Sequence, residues 1–270
     1  MKIVVPIKEI VDTNSLDVND SEYLPRDVDS DDIIMNANDK NAIEAALQIK
    51  ESQENVTVHA LCLGSKNSLK VLREAIAMGC DEASRIEADD FDFIVSSMGK
   101  AIILAKAIEK QQPDLVVTGM YSTDFGQAQV PVLLATILKL PQMTYVDKFE
   151  IGDNSVTGER YIEGGSIKLK IPIPCVLSIA STANEPRYTS VKRIMLAKKT
   201  QIPVIPLADL QVSVDDLRTT GGLEIIGVQA PEVQEIECFK VEAEDDVEAG
   251  VDKLLAKLRE DSIDLTIYKN

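Results

Sequence analysis

The chain of 270 residues holds one histidine, no tryptophan, and aromatic residues at only 4% of its positions. With so few aromatics, its core must be built from Val, Ile, Leu and Ala. A single histidine excludes a multi-histidine zinc centre, and any Ser-His-Asp triad would have to run through His59. His59 lies inside Val56-Thr57-Val58-His59-Ala60-Leu61-Cys62-Leu63, which reads as a buried strand, so the residue is read as structural. The four cysteines, Cys62, Cys80, Cys175 and Cys238, form no C-x-x-C pair and sit in apolar or element-end contexts. In a chain of this size they read as reduced core thiols of a cytosolic protein. The opening Met1-Lys2-Ile3-Val4-Val5-Pro6-Ile7-Lys8-Glu9 is too short an apolar stretch for a signal peptide. No run approaches the roughly 18 apolar residues of a membrane span. These absences point to a cytoplasmic protein without membrane insertion.

Catalytic signatures are missing as well. No G-x-G-x-x-G follows a strand, no G-x-x-x-x-G-K-[ST] is present, and there is no G-x-S-x-G elbow. The carboxylates are many but scattered, so no acid/base pair stands out. This is the inventory of a protein without a metal site and without substrate turnover of its own. Lys and Arg number 28 against 45 Asp and Glu, a formal charge of −17. So acidic a chain is ill suited to nucleic acid, whose binding needs phosphate neutralisation, yet it is compatible with one nucleotide held by backbone amides.

What is present is a rhythm. Residues 3–7, 56–63 and 114–118 are short apolar runs, each the mark of a strand buried on both faces. Helical stripes lie between them. Ala42, Ala45, Ala46 and Ile49 form one, capped by Asn38 or Asp39; Leu69, Leu72 and Ile76 form another, capped by Ser65 and stopped at Gly79. Ile94, Met98, Ala101, Ile102, Ala105 and Ile108 form the longest, ended near Pro113. Residues 12–32 are acidic and read as an excursion or hairpin, 82–86 as a further strand, and 124–138 as a helix closed by Leu140-Pro141-Gln142. Such alternation predicts a parallel α/β sheet with helices on both faces. After Thr144 the pattern changes: Val156, Gly158, Arg160 and Ile162 alternate, as do Ile167, Leu169, Ile171 and Ile173, about the hairpin turn Glu163-Gly164-Gly165. Residues 175–180 read as one more buried strand. The expected organisation is a Rossmann-like α/β domain over residues 1–205 with an added antiparallel hairpin. A C-terminal arm over 206–270 then ends in a helix with Val251, Leu254, Leu255 and Leu258 on one face.

Ligands of an open parallel sheet bind outside the carboxyl ends of its strands. Four segments converge there: Pro6-Ile7-Lys8, Asn36-Ala37-Asn38-Asp39, Leu63-Gly64-Ser65, and Gly119-Met120-Tyr121-Ser122-Thr123-Asp124-Phe125-Gly126-Gln127-Ala128-Gln129-Val130-Pro131. The last puts a glycine at a strand end, small hydroxyl side chains after it, and Gly126 near a helix start whose N–H groups can cradle a phosphate. A well-capped βα turn without a ligand accounts for the same spacing equally well. A second unusual segment, residues 184–199, holds Arg187, Lys192, Arg193, Lys198 and Lys199 against one acid, Glu185. Ser190 can cap a short helix there, and Lys198 and Lys199 suit its C-terminal dipole. Arg187, Lys192 and Arg193 are less well covered by that account, and a docking surface is at least as good a reading.

At this segment the sequence resembles the beta subunit of electron transfer flavoprotein. The resemblance is carried by collinear blocks: Ile3-Val4-Val5-Pro6-Ile7-Lys8-Glu9-Ile10-Val11-Asp12, the helix start over residues 36–47, Leu72-Arg73-Glu74-Ala75-Ile76-Ala77-Met78-Gly79, and Asn184-Glu185-Pro186-Arg187-Tyr188 with Ile194-Met195-Leu196-Ala197-Lys198-Lys199. Leu140-Pro141-Gln142-Met143-Thr144 and Glu163-Gly164-Gly165 agree in order and spacing.

The resemblance implies a heterodimer with an alpha subunit that holds most of the FAD, the C-terminal arm packing on that partner. It implies AMP buried in the beta subunit, or a second FAD beside an NADH site in electron-bifurcating members. Electrons would arrive from acyl-CoA or other dehydrogenases and leave to a membrane quinone oxidoreductase. Carried over by position, nucleotide contacts fall on Pro6, Asn36, Ala37, Asn38, Asp39 and Leu63. They continue through Gly119, Ser122, Thr123, Asp124, Phe125, Gly126, Gln127, Ala128, Gln129 and Val130. Asp124 and Gln129 are expected to bond the nucleotide or brace its turn, with backbone amides near residues 123–126 on the phosphate. Most members read G-x-Q-A-x-D where this chain has Gly119-Met120-Tyr121-Ser122-Thr123-Asp124, closer to a minor branch with Ser-Thr-Asp. Partner docking falls on Glu185, Pro186, Arg187, Tyr188, Val191, Lys192, Arg193, Ile194 and Met195, with Val191 as the apolar anchor. A nucleotide sensor of the same fold without redox work is the competing class.

Overall fold

The structure is a computed structural model, and it describes residues 1–12, 32–88, 96–212, 217 and 247–261. In chain order the strands are β1 (Lys2–Ile7), β2 (Glu9–Val11), β3 (Ile33–Met35), β4 (Thr57–Gly64), β5 (Glu82–Glu87), β6 (Leu115–Gly119), β7 (Gln142–Ile151), β8 (Ser155–Ile162), β9 (Gly165–Pro172), β10 (Cys175–Ile179) and β11 (Val204–Ile205). The helices are α1 (Ala37–Ser52), α2 (Leu69–Met78), α3 (Ser97–Glu109), α4 (Val130–Leu138), α5 (Val191–Ala197) and α6 (Val247–Glu260).

The apolar runs become strands because their side chains alternate between two separate cores. Ile3, Val5 and Ile7 of β1, Val58, Ala60 and Cys62 of β4, and Leu115 and Val117 of β6 enter a core shared with α1 and α2. Val4, Leu61 and Val116 point the other way, into a core shared with α3 and α4. Burial on both faces removes any need for polar alternation. Each fully buried Leu or Ile contributes about 1.5–3 kcal/mol relative to exposure.

One sheet runs in the order β11-β5-β4-β1-β6-β10-β7-β8-β9. Neighbours from β11 to β7 are parallel, whereas β7, β8 and β9 form an antiparallel meander. The chain moves outward from β1 through β4 to β5, then crosses back so that β6 lies on the other side of β1. The expected parallel α/β sheet with an added antiparallel hairpin is what the molecule has. Because α1 and α2 cover one face and α3 and α4 the other, the strand order reverses between β1 and β6, and a crevice opens at their carboxyl ends.

Several local expectations change. Helix α1 begins at Ala37 with Asn36 at its N-cap, earlier than Asn38 or Asp39. Ser65 caps a short 3₁₀ turn leading into α2, accepting from the Asn67 N–H at 3.1 Å. Helix α4 starts at Val130 rather than residue 124, because Gly126 and Ala128 have φ of 62° and 53°, which no helix contains. Pro131 then supplies its first turn. Strand β7 has no counterpart among the sequence expectations. A bulge with Tyr145 at φ 56° breaks its alternation, so only Met143 and Val146 of its first half are fully buried. Of the excursion expected at 12–32, its flanks pair as β2 and β3, and residues 13–31 lie outside the described part.

Two compact units divide the chain at Met1–Val228 and Gln229–Asn270. Leu207, Leu210 and Leu217 are buried in the core of the first unit, so the chain just past residue 205 still belongs to it. In the second, α6 carries Val251, Leu254, Leu255 and Leu258. Leu223, Ile225, Ile226, Val228 and Cys238 lie outside the described residues. Among the described residues no helix is long and apolar enough to cross a membrane.

Candidate functional site

A cavity of about 410 Å³ occupies the crevice at the ends of β1, β4 and β6. Its floor comes from Pro6, Ile7 and Lys8 of β1 and its continuation, Leu63, Gly64 and Ser65 at the end of β4, and Thr118 and Gly119 of β6. Asn36 and Asp39 bring the first turn of α1 to it, and Ser97, Lys100 and Leu104 bring α3. The β6–α4 turn closes it with Tyr121, Ser122, Phe125, Gln127, Ala128, Gln129, Val130 and Pro131.

The turn is hung on α1. Asn36 and Asn38 each donate from Nδ2 to the Tyr121 carbonyl at 3.0 Å, and Asn36 Oδ1 accepts from the Thr123 N–H at 3.2 Å. Only glycine fits at residue 119: a Cβ there would lie 2.5 Å from Asp39 Oδ1 and 2.7 Å from the Asn38 carbonyl carbon. Asn36 also donates its N–H to the Lys8 carbonyl at 3.0 Å, while the Lys8 N–H donates to Asp39 at 2.8 Å. The Lys8 ammonium then spans the cavity to Asp124 at 2.5 Å and Ser122 at 3.3 Å. On the far side Ser97 Oγ donates to Gln127 Oε1 at 2.6 Å.

Burial dominates the electrostatics. It pushes the Asp39 carboxyl up to about 7, against the opposing pull of the Lys8 N–H, Asn36 and the Lys8 charge. It brings the Lys100 ammonium down to about 8, helped by repulsion from Lys8. Burial works to raise Asp124 as well, but its bonds to Lys8, Ser122 and the Phe125 N–H together with the Lys8 charge outweigh it, and its carboxyl lies below the ordinary range. Lys8 and Lys100 both lie over the Phe125 ring, 4.7 and 4.9 Å from its centroid.

Most of the expected nucleotide residues thus meet in one cavity. Ala37, Asn38, Thr123, Asp124 and Gly126 do not line it: Asn38 and Asp124 brace its walls through side-chain bonds, and Ala37 is exposed. Three of the amides expected for a phosphate already have partners. Thr123 donates to Asn36, Phe125 to Asp124 Oδ1 at 2.9 Å, and Gly126 to the Ser122 carbonyl at 2.7 Å. The sequence does not single out Lys100 or Ser97, which lie off the apolar stripe of α3. His59 is remote from the cavity, buried with Nε2 2.8 Å from Ser84 Oγ. Cys62, Cys80 and Cys175 are buried free thiols, and burial pushes the last two up to about 12.

The second candidate segment divides in two. Arg187 is fastened to α1: Nε and Nη2 grip Glu44 at 2.7 and 3.0 Å, and Nη1 reaches Glu51 at 2.6 Å. Arg193 donates to the Met78 carbonyl at 2.9 Å, placing a cation at the C-terminus of α2. Both act as struts: the Arg187 charge is matched by Glu44 and Glu51, whereas Arg193 bonds a carbonyl and keeps its charge. Outside them stands an exposed apolar ridge: Tyr188 is 97% exposed, Val191 74%, Met195 64% and Leu196 58%. Ser190 caps α5 as expected, accepting from the Arg193 N–H.

A family profile described as the electron transfer flavoprotein domain matches residues 28–210, which include the turn, α3, α4 and the ridge. Electron transfer flavoprotein subunit beta of Dictyostelium discoideum is 32% identical over 231 residues, covering 86% of this chain and 89% of that protein. The protein of that description from Thermoanaerobacterium thermosaccharolyticum is 34% identical over 238 residues, 87% of this chain and 90% of its own. That from Bacillus subtilis is 33% identical over 216 residues, 80% and 83% of the two chains. Relatives so similar over nearly their whole length, together with a doubly wound sheet open at its switch point, place this chain in the electron transfer flavoprotein family as a beta subunit.

Proposed function

We propose that this chain is the beta half of a cytoplasmic heterodimeric electron carrier and holds one AMP in the β1–β4–β6 cavity. The observation that carries this reading is the cavity itself. Its volume of about 410 Å³ lies near the lower end of the range for small-molecule sites, roughly 300–1,000 Å³. That suits a mononucleotide, whereas FAD has more than twice as many heavy atoms. The lining fits the ligand: Pro6, Leu63 and Val130 offer apolar contact for a base, while Lys8, Lys100 and Ser122 offer donors for the phosphate end.

FAD, held mainly by the alpha subunit, supplies the redox chemistry when bound. This chain's residues position and dock. The C-terminal arm with α6 meets the alpha subunit, and the ridge of Tyr188, Val191, Met195 and Leu196 receives an acyl-CoA or other dehydrogenase. A quinone oxidoreductase takes the electrons onward, and the chain has no turnover of its own. The test is to co-express the chain with its alpha subunit, record the visible spectrum and chromatograph an acid extract. One FAD and one AMP per heterodimer is the expected result. Two flavins without AMP would mean a bifurcating subunit, and no flavin would return the chain to a nucleotide sensor.

A further inference from the structure

Lys100 stands in the cavity wall, and among the described residues no carboxylate lies within ion-pair distance of it, although the Asp124 charge acts on it from farther off. Among the described residues it makes no hydrogen bond or ion pair, only the contact with the Phe125 ring at 4.9 Å. Lys8, over the same ring at 4.7 Å, is satisfied by Asp124 and Ser122. One aromatic ring therefore holds two ammonium groups that repel each other, with one of them already neutralised. A half-buried cation without an ion-pair partner among the described residues costs desolvation energy, which the more distant Asp124 charge returns only in part. Three other candidates for binding an anion, the amides of Thr123, Phe125 and Gly126, are engaged within the turn. The α4 N-terminus has no side-chain cap, and its Gln129 and Val130 face the same space.

We propose that Lys100 makes this cavity selective for a phosphorylated ligand, its ammonium and that of Lys8 jointly holding the phosphate while Phe125 keeps both aimed inward. The inference rests on the nucleotide reading of the cavity and adds which group answers the ligand's charge. A neutral nucleoside gives Lys100 nothing, whereas a phosphomonoester dianion relieves the repulsion between the lysines and supplies the missing partner. Phe125 acts as a positioning residue. The charged and titratable groups lining the cavity around Lys100 are Lys8, Glu9, Asp39 and Tyr121, with Asp124 behind Lys8. Since the free Lys100 ammonium loses its proton near pH 8, the phosphate contribution is fullest below that pH and fades as pH rises through it.

The experiment is isothermal titration of the full-length chain, cleared of endogenous nucleotide, with AMP and with adenosine at pH 7.5 and 9.5. The wild-type protein should bind AMP more tightly than adenosine, and the gap should shrink at the higher pH. Lys100→Gln should weaken AMP about ten- to a hundredfold, the worth of a charge-assisted bond, and leave adenosine unchanged. Lys100→Arg should keep the preference for AMP and flatten its pH dependence. Phe125→Leu should weaken AMP with its pH dependence retained. If Lys100→Gln binds AMP as tightly as wild type, or Lys100→Arg retains the wild-type pH dependence, the assignment of Lys100 is wrong while the nucleotide site stands. If neither AMP nor adenosine binds the wild-type chain, the nucleotide reading itself fails.

Discussion

Arg187 offers the sharpest test of how the second segment works. Glu44 lies on α1 with only 5% of its surface exposed, and Arg187 grips both of its carboxylate oxygens. Arg187→Met keeps the aliphatic stem and removes the guanidinium, leaving Glu44 with Gln48 at 3.3 Å and the residue-187 N–H at 3.2 Å. Breaking a buried pair on one side costs about 3–5 kcal/mol. Because 27% of the Arg187 side chain is exposed, solvent returns part of this, and about 2–3 kcal/mol is expected. The contact with Glu51, 61% exposed, adds little. For a domain of this size the loss lowers Tm by roughly 5–10 °C. Glu44→Gln in the Arg187→Met background should recover most of it, since the stranded charge is gone, and a double-mutant cycle by urea unfolding isolates the coupling. Burial works to raise the Glu44 carboxyl, but Arg187 outweighs it and the net direction is down. The pair's stability is therefore present above the ordinary glutamate range and lost as pH falls through the depressed value, so the two proteins should converge in acid. A variant that keeps wild-type Tm yet slows electron transfer from a dehydrogenase only at low salt would make Arg187 a steering charge and refute the strut.

Two further outcomes concern Asp39 and Val191. Asp39 moves from 3.8 to about 7 on burial, so the folded protein holds a proton that the unfolded chain has released; stability should fall as pH rises from about 4 to 7, by roughly 4 kcal/mol at most. Asp39→Asn should remove this slope and melt higher than wild type at pH 8, and a wild-type protein equally stable at pH 5 and pH 8 would contradict it. Val191, 74% exposed, should tolerate alanine within about 0.5 kcal/mol of stability. Val191→Ala should nevertheless weaken dehydrogenase docking by about 1 kcal/mol, roughly fivefold, at low and high salt alike; lowered Tm with an unchanged transfer rate would return α5 to scaffolding.

What the sequence alone determined is the part governed by short-range pattern. The runs at β1, β4 and β6 were legible because both their faces are buried, and that requires unbroken apolar stretches. Gly119 at a strand end, followed by hydroxyl residues, marked the turn that closes the cavity, and Ser190 marked the start of α5. Tertiary structure decided the rest, because the deciding partners lie far apart along the chain. Positive φ at Gly126 and Ala128 delays α4 to Val130, and the Tyr145 bulge hides β7. Arg187 and Arg193 read as a free basic patch until the fold brings Glu44, 143 residues away, and the Met78 carbonyl to meet them. By sequence Lys100 is a polar position of a helix, off its apolar stripe. Only the packing of α3 beside the β6–α4 turn sets its ammonium against Phe125 and Lys8, where burial and the Lys8 charge bring it down to about 8.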